Sequence, residues 1–344
     1  MDLGSRISRR QALGGALGLG LAGLLPGVSL RTTVAKITAA PGVIDPGRLN
    51  TEAIDHYQAM ARHLSSYYWV SPDAEAVQRS AVALVEDGMS ILASARGPDR
   101  QALARSAGQA ALLAGRIGFF DLGQPIGSAG CYQAALKLAE EADDRALAAA
   151  VLAHVAFIPG FSDDYHGAQE ALERATMKQR GANSPLLRSW LHCVRGELAA
   201  RTGHGREACD QIRRAEESLA SERVEPDPGW LDWYDTARLA AFRGYVELES
   251  GQHAKAVDTF SSSLAELGSN ATKQKAVVHF DLASAYAPQA PELAVSHATV
   301  AMEGLAAGWY STAADRLPPL LSGLKGTTAG RELRDLAREL LPAA

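Results

Sequence analysis

Two stretches decide how this chain folds: GELAARTGHGREACDQIRRA, residues 196–215, and GYVELESGQHAKAVDTFSSSL, residues 244–264. Each runs from a helix end through a glycine-bearing turn into a second helix. In that second helix a small residue is followed four positions on by a bulky one, and three further by another small one. Ala208, Ile212 and Ala215 make the row in one stretch, and Ala256, Phe260 and Ser263 make it in the other. An i, i+4, i+7 row is one face of a helix. The small members admit a neighbouring helix, and the large one fills the space beside it.

The same phrase recurs in GFFDLGQPIGSAGCYQAAL from Gly118, LASAYAPQAPELAVSHATVA from Leu282 and, more loosely, AFIPGFSDDYHGAQEALERA from Ala156. Here the small residues are Ser128, Ala294 and Ala168, with Tyr132 and Leu172 at the large position. Gly123, Gly203 and Gly251 fall where a helix must stop and reverse, which a left-handed glycine does at least conformational cost. No hairpin of this kind buries its apolar side alone, so hairpins stacked in series are expected.

This pattern resembles the tetratricopeptide-repeat family, which places a small residue in the first helix, an aromatic three later, and a small–aromatic–small row in the second. Gly196 and Gly244 match the first small position, Ala283 is a conservative variant, and Arg116 stands in its place in the earliest unit. Units recur about every 39 to 48 residues rather than every 34, and Pro159–Gly160 interrupts one first helix. The resemblance implies an all-α fold: a right-handed superhelix, or α-solenoid, of stacked antiparallel hairpins. The periodicity predicts about 13–14 helices, from 51–69 to 329–341, with 231–250 and 309–324 among them. Three helix starts are legible as caps, at Asn50, Ser71–Pro72 and Asn183–Ser184–Pro185.

A longer likeness spans roughly residues 45–340, through DPGRLNTEAIDHYQAMARHLSSYYWV, AALLAGRIGFFDLG, LAHVAFIP and PGWLDWYDTARLAAFRGYVELESGQ. These are similar to the tetratricopeptide-like C-terminal domain of Xre-type helix-turn-helix transcriptional regulators of high-GC Gram-positive bacteria. The residues ahead of the likeness are Gly-rich and apolar and hold no helix-turn-helix pattern, so DNA binding is not implied. Residues 45–344 are accordingly expected to form one repeat domain behind a flexible segment, 1–44.

Composition agrees with helices and narrows the function. Hydrophobic residues make up 47% and aromatics 6%, and the net charge is −5, which disfavours nucleic acid as a direct partner. Cys131, Cys193 and Cys209 have no metal-ligand spacing and read as small buried apolar residues. No HExxH, GxSxG, Walker or GxGxxG context is present, so no catalytic residue, cofactor or metal is expected. In FSDDYHG, Asp163 and Asp164 read as helix caps rather than ligands.

Binding is the better expectation. In a solenoid the first helices build the concave wall, so one stripe of each is a candidate lining. The stripes hold Phe120; Phe157; Trp190, Glu197 and Arg201; Arg238, Tyr245 and Glu249; and Phe280 with Ser284. Such a groove suits a peptide, a partner protein or an amphipathic small molecule. Competing readings stand beside it. Glu197 and Arg201 also form an ordinary i,i+4 surface pair, and Trp190, Phe157 and Phe280 also suit the core between hairpins. Leu333, Leu336, Leu340 and Leu341 line one side of the last helix, which suits a terminal cap and leaves a homodimer seam open.

The N-terminal SRRQALGGALGLGLAGLLPG, residues 8–27, has two readings. Arg9 and Arg10 before an apolar run resemble a twin-arginine export signal, and the run Ala12–Leu25 is about 21 Å long as a helix, too short to span a bilayer. The same stretch also resembles the linker that precedes the repeat domain in the longer regulators. That second reading favours the cytoplasm, with export as the alternative.

Overall fold

A computed structural model describes residues 51–180, 183–222, 227–231 and 233–341. Arg9, Arg10 and the expected cap Asn50 lie outside them. The described residues form helices and turns with no strand, as the sequence pattern requires. None of these helices is long and apolar enough to cross a membrane.

The chain divides into two compact units, the first made of the described residues up to Leu187 with those of 222–231, the second of Arg188–Ser221 with those from 233 onward. In the first, α1 (Thr51–Tyr68) and α2 (Ala74–Leu92) make one hairpin. The next two are α3 (Gly97–Arg116) with α4 (Pro125–Glu141), and α5 (Arg145–Gly160) with α6 (Tyr165–Gln179). Helix α7 (Pro185–Arg201) begins in this unit and continues into the second, where it pairs with α8 (Gly205–Leu219). There follow α9 (Thr236–Glu249) with α10 (His253–Glu266), and α11 (Thr272–Tyr286) with α12 (Pro291–Ala307). The short α13 (Ser311–Ala314) and α14 (Leu317–Gly323) lead to α15 (Thr328–Leu340), which packs on α12. Within each unit consecutive hairpins stack, which is the solenoid arrangement.

The turns work as the glycines suggested. Gly203 and Gly251 sit at φ 82° and 73°. The residue after each donates its backbone N–H five residues back, His204 to Ala199 at 2.8 Å and Gln252 to Glu247 at 2.9 Å. That is the Schellman closure of a helix end. Between α5 and α6 Asp163 takes the glycine's place at φ 61°, and Asp164 caps α6 by accepting from Gly167 N at 2.9 Å. Both aspartates are thereby accounted for structurally.

One unit departs from the expected register. Arg116 does not hold the small position; Gly115 does, and a Cβ there would lie 2.5 Å from the Tyr132 ring. Gly244 stands in the same relation to Phe260, at 2.6 Å, and Gly196 meets Ile212 at 3.3 Å. The interval from Gly115 to Gly123 is one residue longer than from Gly196 to Gly203 or from Gly244 to Gly251. A π-helical turn at Ile117–Asp121 takes up that residue. Its signature is Leu122 N donating to Ile117 O at 3.1 Å, while Gln124 N reaches back six residues to Gly118 O at 2.7 Å rather than five.

Other expectations need smaller corrections. The cap of α2 is Asp73, whose carboxylate accepts from Ala76 N at 2.8 Å, while Ser71 Oγ accepts from Asp73 N. Ser184 caps α7 as read, accepting from Leu187 N at 3.1 Å. Pro159 does not break α5 but lies in its last turn, where the lost N–H weakens only the helix end. The helix expected over 231–250 begins at Thr236, after a 3-10 turn at Gly229–Leu231, because Asp235 caps it through Arg238 N. The helix expected over 309–324 is two short ones. Pro318 and Pro319 bring no N–H donor, so they fit only the first turn of a new helix, α14. Cys131 and Cys193 are buried, but Cys209 is exposed on α8.

Candidate functional site

The second unit carries an ionic cluster built on the first helices of three successive hairpins. Helix α7 supplies Glu197 and Arg201, α9 supplies Tyr245 and Glu249, and α11 supplies Asp281. Helices α9 and α11 pack on one another, so matching faces meet. The Arg201 guanidinium lies 5.4 Å from the Tyr245 ring centroid, and Arg316 lies 5.7 Å from it. Each cation has its own carboxylate. Arg201 Nη2 is 3.3 Å from Glu197 Oε1, and Arg316 Nε is 2.7 Å from Asp281 Oδ1. Arg316 also donates Nη1–H to Thr312 O at 2.8 Å, which ties the guanidinium to α13.

Burial sets the electrostatics. It raises the Asp281 carboxyl against the pull of Arg316, and raises the Tyr245 hydroxyl against that of Arg201, so the phenol stays protonated at neutral pH. Burial alone would lower the Arg316 guanidinium, but Asp281 beside it more than compensates and holds it above its ordinary value. Guanidinium over an aromatic face, with a carboxylate on its edge, is an attractive arrangement in a partly dry setting. Arg316 and Asp281 are closed in, at 14% and 7% side-chain exposure, whereas Arg201 keeps 22% and Glu249 stands exposed. The cluster thus has an inner pair and an outer edge that a ligand can touch.

The remaining stripe residues of this unit separate into core and surface. Trp190 and Phe280 are fully buried, Trp190 edge-on to Trp233 at 5.8 Å. Arg238 covers the other ring of that pair, 5.7 Å from Trp233. Ser284 returns its hydroxyl to Phe280 O at 3.1 Å, within its own helix. Two principal members, Asp281 and Arg316, were missed in the sequence. The signal for Asp281 was a lone carboxylate inside the apolar run AVVHFDLASAY; for Arg316 none existed before the helix break was known.

In the first unit the two stripe residues come together. Phe120 and Phe157 meet edge-on at 5.1 Å, with Phe119 and Phe161 completing an aromatic cluster. Phe157 is buried, and Phe120, in the π turn, is half-buried. His154 lies against Phe120 at 6.1 Å and Tyr132 at 5.9 Å, with Nδ1 2.7 Å from Ala150 O. Burial, helped by the charge of Arg116, pulls its pKa down to about 3, so the imidazole is neutral and Nδ1 carries the hydrogen it gives to Ala150. Beside the same turn, buried Asp121 accepts from Tyr68 hydroxyl at 2.9 Å, and Arg116 covers Trp69 at 5.5 Å.

Among the described residues no group of three or more His, Cys, Asp or Glu converges as a metal site. No protein-family model matches the chain, and no curated protein matches it significantly.

Proposed function

We propose that this chain is a non-enzymatic, tetratricopeptide-type binding module with a regulatory role, similar to the ligand-sensing half of Xre-type regulators. Its ligand is a peptide, a partner protein or an amphipathic small molecule, held along the first-helix faces of the second unit. The observation that supports this most is the junction of Arg201, Tyr245 and Asp281 from three consecutive hairpins. A ligand that contacts all three helices exchanges its own polar groups for those of the outer edge, and so biases how the hairpins stack. Apolar rings beside a few charges are the usual make-up of such sites.

The test is purification of the intact chain from its native cell, with mass spectrometry of what accompanies it. An Arg201→Gln/Glu249→Gln variant alters the outer edge and leaves the Asp281–Arg316 pair in place. Loss of the companion from a variant that still shows a full helical spectrum is the expected result. Undiminished retention overturns the assignment.

The Ser8-Arg9-Arg10 stretch favours a second reading, in which the module is exported folded and serves as an assembly scaffold. Cell fractionation with an Arg9→Lys/Arg10→Lys variant separates the two. Arginine-dependent processing supports export, and a cytoplasmic product in both strains supports the regulator.

A further inference from the structure

The hairpin of α11 and α12 carries a feature on the side away from the ionic cluster. His279, Ala283 and Tyr286 recur at i, i+4 and i+7 on α11 and share one face. Asp281 lies two positions from His279, so the two side chains leave α11 in nearly opposite directions. Ala283 is fully buried, and its small side chain lets α12 come close. His297 of α12 meets both rings of that face. Its Nδ1 stands 3.1 Å from His279 Nδ1, and its ring lies parallel to Tyr286 with centroids 5.5 Å apart. The two imidazole planes are 28° apart.

Both imidazoles are half-buried, so solvent reaches them as it does not reach His154. Burial lowers both below the ordinary histidine value, and His297 with Lys275 helps bring His279 down to about 4. At neutral pH both rings are therefore uncharged, the form in which imidazole ligates a metal. The hydrogen between the two nitrogens belongs to one Nδ1. Moved to that ring's Nε2, it frees both lone pairs with no net proton release. Two nitrogens about 2.0–2.1 Å from one ion stand about 2.9 Å apart at a right angle and about 3.3 Å apart at the tetrahedral angle. The observed 3.1 Å falls between these values. An ion sits off the line that joins the nitrogens, so both rings turn to meet it.

We infer that His279 and His297 form a binding site for a late divalent transition-metal ion such as Zn²⁺ or Ni²⁺, shared between α11 and α12. Imidazole nitrogens suit these ions, whereas Mg²⁺ and Ca²⁺ require oxygen ligands. Two protein ligands leave the remaining positions to water, so the site is open. Among the described residues no carboxylate acts on either ring, so the imidazoles alone set the affinity. An ion held there joins α11 to α12, on which α15 packs.

Isothermal titration calorimetry of the full chain with ZnCl₂ at neutral pH measures the site. The wild type shows one ion in its tightest class. His279→Gln and His297→Gln each lower that affinity about tenfold or more with circular dichroism unchanged. The double variant loses no more than either single one, because one remaining ring is a lone ligand. His63→Gln, which removes a solitary exposed imidazole, stays within about twofold. In wild type labelled with ¹⁵N-histidine, one equivalent of ZnCl₂ shifts the His279 and His297 nitrogen resonances and MgCl₂ does not, a result independent of how any variant folds. Undiminished binding in the double variant, losses that add, or unshifted resonances leave the pair as a hydrogen bond only and overturn the inference.

Discussion

The two units solve the same packing problem with opposite chemistry. Around the π turn of the first, four phenylalanines and a neutral histidine close the space between hairpins. At the corresponding first-helix faces of the second, two guanidiniums enclose a tyrosine and are matched by carboxylates. An apolar contact is tolerant of small shifts and is limited by shape. A buried ion pair is worth little net stability against an apolar equivalent, yet it is costly to half-remove. The first arrangement therefore serves cohesion, and the second fixes which groups face one another.

The largest expected effect breaks the contrast at its ionic end. Asp281→Ala leaves the Arg316 guanidinium buried without its carboxylate and should cost about 3–5 kcal/mol in urea denaturation. Asp281→Leu/Arg316→Met, which removes both charges, should come out near neutral in the same assay. Next, Phe157→Ala in the aromatic cluster should destabilise by about 3 kcal/mol or more, with no double substitution that restores it as simply.

The next effect is absent at neutral pH and grows only with acidity. Because the folded His154 takes a proton only near pH 3 and the unfolded one near 6.5, the folded state resists a proton that the unfolded chain accepts. Stability attributable to this group is present above pH 6.5 and is lost as pH falls toward 3, at up to about 1.4 kcal/mol per pH unit. A His154→Gln variant should flatten that part of the stability–pH curve, and an unaltered slope would assign the loss elsewhere. Smallest of all, Glu141→Gln should move stability by less than about 1 kcal/mol. Its pair with Arg100, at 2.7 Å, lies at the surface, where both side chains keep about a third of their exposure.

Much of the fold was legible because it is local. Gly203, Gly251 and the small–large–small rows speak for themselves within twenty residues, and Asp164 and Ser184 cap helices a few positions away. What escaped was either an offset inside a helix or a long-range meeting. Gly115 was hidden behind Arg116 because period counting assumes an uninterrupted α-helix, which the π turn violates. Trp190 shares a face with Glu197 and Arg201 yet is covered by Trp233, and Phe280 is fully buried, coverings that a repeat alignment does not resolve. Asp281 and Arg316 meet across thirty-five positions, and only the break before Pro318 brings the arginine there.

The bulge after Arg116 also bears on how a chain of this type changes length. An added residue is usually absorbed in a loop, where it leaves the elements on either side undisturbed. Here a widened coil takes it up, so Gly115 still faces Tyr132 of the following helix as Gly244 faces Phe260. Growth by single letters is thus open to the interior of these rods, and gaps in comparisons among such chains belong there as well as at the bends.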